Sequence, residues 1–223
     1  MTVDYFSWPD TIAKAKIIQA ELKDRVRIVP FEGELGYIGG VDAAFCDKKV
    51  LGVACVYKYP EIILIEDAFS IADVPLPYVP GYLSFREGPV IVDALKKLGT
   101  RPDVILFDGQ GIAHPKGFGI ASHIGVIMNI ATIGCAKSKL IGEYVEPGSR
   151  RGQWSHLKYE GRIVGAVLRT RDNVRPIFVS PGHLIDLKTA LEIALGSTLK
   201  YRIPEPLRRA DRLSKETKKR ANR

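Results

Sequence analysis

Runs of apolar residues predict one helix and then three strands in the first third of the chain. Residues 10–27 carry apolar side chains at helical spacing behind Asp10, a residue type that commonly caps helices. Three short apolar runs follow, each with the length and composition of a strand, at residues 37–45, 50–59 and 62–69. The junction at residues 59–61 is short enough for a hairpin, so the pattern predicts a three-strand meander.

Helical and strand-like segments alternate in the middle of the chain. Apolar positions in residues 83–98 follow helical spacing, with Pro89 near the start and Gly99 as a natural C-terminal stop. A buried-type strand, a helix and another strand come next, at residues 104–107, 120–130 and 132–136. A meander followed by helix–strand crossovers predicts a mixed α/β sheet with helices on its faces.

The last third predicts a second hairpin and one more helix. Residues 156–159 and 162–170 pair around Glu160-Gly161, and a strand-like run covers residues 174–180. We expect the helix to open in the SPGH segment, residues 180–183, and to run to about Leu195. Because no linker divides the chain, one domain is expected.

The composition is that of a globular protein. Of the 223 residues, 46% are hydrophobic and 26% are charged, which excludes disorder throughout the chain and collagen-like or low-complexity structure. The three cysteines, Cys46, Cys55 and Cys135, show neither CxxC spacing nor the density of a disulfide scaffold. The first residues lack a signal-peptide pattern, and the longest apolar stretch, residues 124–136, is far shorter than the ~20 residues of a membrane-spanning helix. We therefore expect a soluble, cytoplasmic protein that does not contact membranes.

The net charge of +8 is concentrated at the C-terminus. Residues 200–223 contain ten Lys and Arg against three Asp and Glu, so the rest of the chain is nearly neutral. A basic terminus of this kind is typical of a frayed, solvated end. It is equally typical of an arm or helix that contacts the phosphates of a nucleic acid.

Three carboxylates stand where the predicted elements can bring them together. Asp42 lies inside the apolar strand GVDAAF, Glu87 lies near the start of a helix, and Asp108 ends the strand VILFD. An unpaired carboxylate inside an apolar strand is costly, so it is expected to be paired or metal-bound. Two carboxylates ~4 Å apart repel by roughly 4 kcal/mol at an effective dielectric constant near 20, and ligation by oxygen alone favours Mg²⁺ or Mn²⁺ over zinc. The alternative is three separate salt bridges or caps, and an Asp before Gly is also typical of a turn.

Six segments resemble the endonuclease V family of deoxyinosine-directed repair nucleases, collinearly from about residue 8 to residue 212. They are GVDAAF, PYVPGYLSFREGP, PDVILFDGQGIAHP, GIASHIGV, TIGCAKSKL and IFVSPGHLID. The resemblance implies a ribonuclease H-like fold, in agreement with the predicted order of strands and helices. It also implies a single catalytic domain over residues 1–212 and a basic C-terminal tail at residues 213–223.

By this resemblance, Asp42, Glu87 and Asp108 form the family's acidic metal site, which holds Mg²⁺ with Mn²⁺ as a substitute. The two aspartates are the expected ligands and Glu87 is a further candidate. Asp211 stands where many members carry a histidine that completes the acidic cluster. An aspartate there could still bind the metal or hold a metal-bound water.

Two further catalytic candidates come from the resemblance. Lys137, in AKSKL, matches the family's lysine near the cleaved phosphate, although by itself it is typical of an exposed lysine at a strand end. His114, in GIAHP, matches a position close to the active site and the recognised base. By itself it is typical of a hydrogen-bond donor in a loop, because no partner stands at the spacing of a zinc site.

The PYVP loop matches the family's wedge motif, which places Tyr78 against the base pair at the lesion. Pro77 and Pro80 stiffen this loop, and an aromatic ring can replace the stacking lost when a base is extruded. Packing of Tyr78 under its own loop is the alternative. The matching base-binding residues are mostly small, which lets the backbone approach a flat base. They are Gly81, Leu83, Arg86, Gly109, Ile120, Gly134, Ala136, Ser138 and Leu140.

The resemblance implies a Mg²⁺-dependent endonuclease, monomeric, whose partner is inosine-containing, damaged DNA. It would hydrolyse the second phosphodiester bond 3′ to the lesion and leave 3′-hydroxyl and 5′-phosphate ends. Inosine-containing RNA is the alternative substrate, because a preference for the 2′-hydroxyl cannot be read from these residues. A non-catalytic nucleic-acid-binding protein, in which the carboxylates only pair with Arg86 or Lys137, is the alternative of a different class.

Overall fold

A mixed β-sheet forms the centre of the molecule. The computed structural model describes residues 8–221, and within them the sheet has eight strands. In chain order these are β1 (Tyr37–Cys46), β2 (Lys49–Lys58), β3 (Ile63–Asp73), β4 (Val104–Phe107), β5 (Ala131–Ala136), β6 (Trp154–Tyr159), β7 (Arg162–Leu168) and β8 (Ile177–His183). They lie side by side in the order β3, β2, β1, β4, β5, β8, β7, β6.

The sheet combines the predicted meander with a parallel centre. Strands β1, β2 and β3 pair antiparallel, whereas β1, β4 and β5 run parallel to one another. Beyond β5 the pairing is antiparallel again, through β8, β7 and β6. The predicted mixed sheet of a meander and parallel strands is therefore confirmed.

Helices cover both faces of the sheet. In the described residues they are α1 (Ile12–Lys23), α2 (Leu83–Lys96), α3 (Ile120–Met128), α4 (Leu187–Gly196) and α5 (Glu205–Ala221). The first three share one apolar core with the sheet, around Phe107 and Ile124. Helices α4 and α5 share a second core on the opposite face, around Leu106 and Leu207. None of these helices is long and apolar enough to span a bilayer.

Two glycines let helices lie directly on the strands. A Cβ at Gly40 of β1 would lie 2.4 Å from the carbonyl carbon of Pro206 in α5. A Cβ at Gly52 of β2 would lie 2.4 Å from the carbonyl oxygen of Val90 in α2. Because any larger residue would push a helix away, these glycines fix how closely α2 and α5 approach the carboxylate-bearing part of the sheet.

The prediction of a helix that opens in the SPGH segment is wrong. Residues 180–183 complete β8, where Ser180 and His183 are buried between neighbouring strands. The next helix begins at Leu187, and the Asp186 side chain caps it by accepting from the Thr189 backbone N–H at 2.8 Å. Similarly, Thr11 caps α1 in place of the expected Asp10.

Helix α5 runs through the expected boundary at residue 212. Leu207 and Ala210 are buried against the sheet, Leu213 packs on the same core, and Ser214 is buried as well. Apolar side chains three or four residues apart form one face of an amphipathic helix, while Arg212, Lys215 and Lys219 are exposed. Residues 213 and 214 therefore belong to the folded body of the protein and not to a detached tail.

Candidate active site

The parallel pairing of β1 with β4 places Asp42 beside Asp108. The register aligns Val41 with Phe107, and the next residue on each chain segment is a carboxylate. Strand β5 lies on the other side of β4 and ends at Ala136, immediately before Lys137. Asp42, in the middle of β1, therefore lies level with Asp108 and Lys137, which directly follow the carboxyl ends of β4 and β5.

Glu87 joins this group from α2. Burial raises the pKa of Glu87 to about 8, with a further contribution from the negative charges of Asp42 and Asp108 and an opposing one from Arg86. Burial also raises the pKa of Asp42, and the charges of Asp108 and Asp211 add to this effect. Asp42 is thus coupled to Glu87 on one side and to Asp108 and Asp211 on the other.

Each aspartate has a partner of its own. Lys137 Nζ donates to Asp108 Oδ2 in a short ion pair, and Ser214 Oγ donates to Asp42 Oδ2 at 2.6 Å. Asp211 is paired with Lys215 one helical turn further along α5, at 2.7 Å. Burial lowers the pKa of Lys137, but the contact with Asp108 outweighs it and the net pKa is raised. Lys137 is therefore a cation at neutral pH.

The site offers oxygen ligands to a metal ion. Asp42 and Asp108 supply neighbouring carboxylates, and Glu87 and Asp211 lie within electrostatic range. No group of three or more His, Cys, Asp or Glu side chains in residues 8–221 forms a complete ligand set. A pair of carboxylates suits Mg²⁺, which usually keeps several waters and takes one or two protein carboxylates together with substrate phosphates.

The loop between β3 and α2 presents Tyr78 to solvent. The Leu76 side chain anchors this loop in the core, and Gln19 Nε2 of α1 donates to the Gly81 carbonyl oxygen at 2.9 Å. Tyr78 is 64% exposed, and both prolines of the PYVP motif lie at the surface. Tyr78 therefore does not pack under its loop, and its ring is free to contact a ligand.

Arg86 lies between two aromatic rings. Its guanidinium carbon is 4.0 Å from the ring centroid of Phe45 and 5.9 Å from that of Tyr78. A guanidinium over an aromatic face is attracted by the ring quadrupole. Arg86 thus links the Tyr78 loop to β1, next to the carboxylates.

The other predicted base-binding residues fall into two groups. Gly109, Ile120 and Gly134 pack directly against one another, since a Cβ at Gly109 would lie 2.8 Å from Ile120 Cγ2 and one at Gly134 would lie 2.7 Å from the Gly109 carbonyl oxygen. Ala136 is also buried. The second group lies at or near the surface and consists of Gly81, Leu83, Ser138 and Leu140.

The sequence and this arrangement match known nucleases along nearly the whole chain. The family model of endonuclease V matches residues 20–212. The endonuclease V of Dictyoglomus turgidum is 46% identical over 212 residues, which cover 95% of this chain and 92% of that protein. The chain belongs to the endonuclease V family. Membership makes it a nuclease, a hydrolase that acts on nucleic acid.

Solved endonuclease V structures have the same fold. The crystal structure of endonuclease V from Streptomyces avermitilis is 40% identical, with a TM-score of 0.93 and coverage of 97% of each chain. A variant of endonuclease V from Ciona intestinalis, in complex with a 23mer DNA containing an inosine followed by a ribo-adenosine, is 30% identical. Its TM-score is 0.83, with 94% of this chain and 98% of that chain covered.

In this endonuclease V chain, His114 lies beside the Tyr78 loop. Its Cε1 is 4.0 Å from the position of a Cβ on Gly81, and its Nδ1 accepts from the Lys116 backbone N–H at 3.2 Å. Burial, with the charge of Lys116, lowers the pKa of His114 to about 4, so the ring is neutral at neutral pH. Its position beside this loop agrees with a place near the recognised base, and a catalytic role stays a prediction.

Two residues beside the candidate site residues carry no motif that singles them out in the sequence. Phe45 contacts Arg86, and Ser214 donates to Asp42. The helical recurrence of Leu207, Ala210 and Ser214 is a signal that would place Ser214 on the inner face of α5. Because basic residues are so frequent in that segment, its sequence instead indicates a solvated tail.

Proposed function

We propose that this chain is a Mg²⁺-dependent endonuclease that recognises deaminated adenine in DNA. It would hydrolyse the second phosphodiester bond 3′ to the deoxyinosine and leave 3′-hydroxyl and 5′-phosphate ends. The observation that carries the proposal is the β1–β4 register, which sets Asp42 beside Asp108 with Glu87 and Lys137 in the same site. The inosine-containing DNA in the Ciona endonuclease V complex supports the choice of substrate.

The carboxylates would hold the metal ion. Mg²⁺ bound by Asp42 and Asp108 would supply activation of water and neutralisation of charge on the phosphodiester. A bound cation would favour the charged form of Glu87, whose pKa is raised first by burial and then by the negative charges of Asp42 and Asp108. Asp211, whose charge also acts on Asp42, would support the cluster from α5.

Lys137 would act on the phosphate. It is a cation at the edge of the sheet where the carboxylates meet, and half of its side chain is exposed. A positive charge held there stabilises the negative charge that develops on the phosphate in the transition state. The contact with Asp108 keeps the ammonium group beside the carboxylates that would hold the metal ion.

Tyr78 and the small residues after β4 and β5 would recognise the lesion. The exposed Tyr78 ring can replace the stacking of an extruded base. Hypoxanthine differs from adenine by an O6 acceptor and an N1–H donor. A site with the opposite donors and acceptors would reject adenine, because buried polar groups would be left unpaired.

Asparagine variants of the two aspartates test the catalytic part of this proposal. Asp42→Asn and Asp108→Asn should reduce incision of an inosine-containing duplex by about 10³-fold or more, since several kcal/mol of charge stabilisation are lost. Binding of the duplex, measured by fluorescence anisotropy, should be preserved or improved. Asp93→Asn, at an exposed position on α2, serves as the control and should cut like the unmodified protein. Full incision by both site variants would contradict the proposal.

An inosine-specific endoribonuclease is the second candidate, because the DNA in the Ciona complex contains a ribo-adenosine after the inosine. Competition between matched deoxyinosine-DNA and inosine-RNA substrates separates the two activities. Preferential incision of the DNA supports the proposed function, and preferential incision of the RNA supports the alternative.

A further inference from the structure

Arg202 joins the ends of two strands beside Lys137. It lies between α4 and α5, where its Nη2 donates to the Lys137 carbonyl oxygen at 2.6 Å and to the Pro176 carbonyl oxygen at 3.0 Å. Lys137 directly follows β5, and Pro176 directly precedes β8. Arg202 therefore holds the backbone of the residue whose side chain contacts Asp108.

The positive charge of Arg202 has no direct counter-charge. Both acceptors of Nη2 are neutral carbonyl oxygens, and Nε is buried without a hydrogen-bond partner among residues 8–221. In that part of the chain, no carboxylate forms an ion pair with Arg202 or with Arg175. Nε is closed off from solvent, whereas Nη1 makes no hydrogen bond within residues 8–221 and is open to an acceptor from outside.

Arg175 is a second cation near Arg202, because it directly precedes Pro176, whose carbonyl oxygen accepts from Arg202. Burial is the largest influence that lowers the pKa of Arg202, and the nearby charge of Arg175 lowers it further, whereas Asp108 raises it. Arg175 is exposed, just before Pro176 and the start of β8. Two neighbouring guanidinium groups repel each other, and an anion that contacts both relieves this repulsion.

We propose that Arg202 and Arg175 bind a backbone phosphate of the nucleic-acid strand, next to the phosphate that Lys137 contacts. This rests on the proposed function, which places the cleaved phosphate at Lys137. Nη2 of Arg202 already donates to two carbonyl oxygens, so Nη1 of Arg202 and the exposed guanidinium of Arg175 are the donors for the phosphate oxygens, and Arg is the residue of choice for such recognition. Because Arg202 also holds the Lys137 backbone, a phosphate bound here sets the register of the strand relative to the cleaved bond.

Salt-dependent binding of the full chain tests this assignment. Arg202→Gln and Arg175→Gln should each weaken binding of a labelled duplex roughly tenfold, because a charge-assisted hydrogen bond is lost. Each should also reduce the slope of log K against log salt concentration by about 0.9, as expected for one phosphate contact on duplex DNA. Anisotropy titrations in EDTA, with an inosine duplex and an undamaged duplex, measure both quantities. Arg162→Gln, at the opposite end of β7, is the control and should keep the original slope.

Rescue separates phosphate binding from a merely structural role. Arg202→Lys should recover most of the slope, since it keeps the charge while it cannot bridge both carbonyl oxygens. An unchanged slope in both Gln variants would overturn the proposal, even if Arg202→Gln lost incision through displacement of Lys137.

Arg175→Gln keeps the test valid if Arg202→Gln does not fold. Arg175 is exposed and makes no hydrogen bond within residues 8–221, so its replacement should not disturb the fold. If the proposed function is wrong, incision of the inosine duplex fails, but the salt dependence of binding to undamaged duplex still differs between the variants and the original protein. If the phosphate assignment is wrong, this salt dependence is unchanged. The two failures are therefore distinguishable.

Discussion

Asp42 interacts with three other elements. Asp108 lies alongside on the segment after β4, Ser214 donates to Asp42 from α5, and the charge of Asp42 acts on Glu87 of α2. Burial and the like charges raise the pKa of Asp42, while the Ser214 hydroxyl favours its charged form. The result is a carboxylate that is fixed in position yet electrostatically unfavourable, which is the condition that cation binding relieves.

At the same scale, Tyr78 should determine how well the lesion is distinguished from undamaged DNA. Tyr78→Ala should weaken discrimination by roughly 1–3 kcal/mol, because its ring no longer replaces the stacking of the extruded base. The ratio of kcat/KM for inosine-containing and undamaged duplexes measures this effect. Tyr78→Phe keeps the ring and should keep the ratio. Equal discrimination by the Ala variant and the original protein would show that Tyr78 does not stack on the substrate.

Among the elements, α5 is the one whose role changes most between sequence and structure. The net charge of its segment suggests a tail, but Leu207, Ala210 and Ser214 pack it across β1 and β2. Its inner face supplies the hydrogen bond to Asp42, and its outer face carries the exposed Arg212, Lys215 and Lys219. The same helix therefore holds Asp42 in position and presents positive charge to solvent.

Two truncations separate these roles of α5. Deletion of residues 213–223 removes Leu213 and Ser214, so the free energy of unfolding should fall by about 2–4 kcal/mol and incision should be lost. Deletion of residues 218–223 removes mainly basic side chains and should keep both the fold and incision at low salt. Its non-specific DNA binding should depend less steeply on salt. Urea denaturation and incision assays measure the outcome, and equal behaviour of the two truncations would contradict this account of α5.

The strands and central helices could be predicted because apolar residues recur in them at the spacing of a strand or a helix. Strands β1, β2 and β4 are apolar on both faces, and a meander followed by crossovers leaves few arrangements of the sheet. The meeting of Asp42 with Asp108 also follows, since Asp42 lies within β1 and Asp108 directly follows β4, the parallel strand beside it. The positions of Ser214 and Arg202 depend on how α5 and the loop before it pack, and contacts across such long sequence separations leave no local pattern.

For the molecule as a whole, buried histidines should govern stability in acid. Burial lowers the pKa of His114 and of His183 to about 4 and that of His123 to about 3. His123 is surrounded by aromatic rings and lies 2.9 Å from Ser84 Oγ. In the unfolded chain these rings bind a proton near pH 6.5, so the unfolded state binds more protons below that pH and stability falls as the pH falls.

The contribution of His123 can be isolated with one variant. Between about pH 7.5 and about pH 5, this group should cost the folded state about 2 kcal/mol, because it remains neutral while its unfolded counterpart is protonated. Glu87 acts in the opposite direction, since its raised pKa makes the folded state bind more protons over the same range. The test therefore compares His123→Gln with the original protein. For each, urea denaturation in EDTA measures how far the free energy of unfolding changes between the two pH values. His123→Gln should lose less stability on acidification, and His156→Gln, at an exposed position, should lose as much as the original protein. Parallel pH profiles for His123→Gln and the original protein would contradict the assignment.

The most direct test of the central claim is a map of cleavage products at single-nucleotide resolution. The unmodified chain is incubated with Mg²⁺ and a duplex that carries one deoxyinosine, beside an identical duplex without it and a reaction in EDTA. We expect a single cut at the second phosphodiester bond 3′ to the deoxyinosine, with 3′-hydroxyl and 5′-phosphate ends, and no cut in either control. Absence of incision, or equal cutting of the undamaged duplex, would contradict the account.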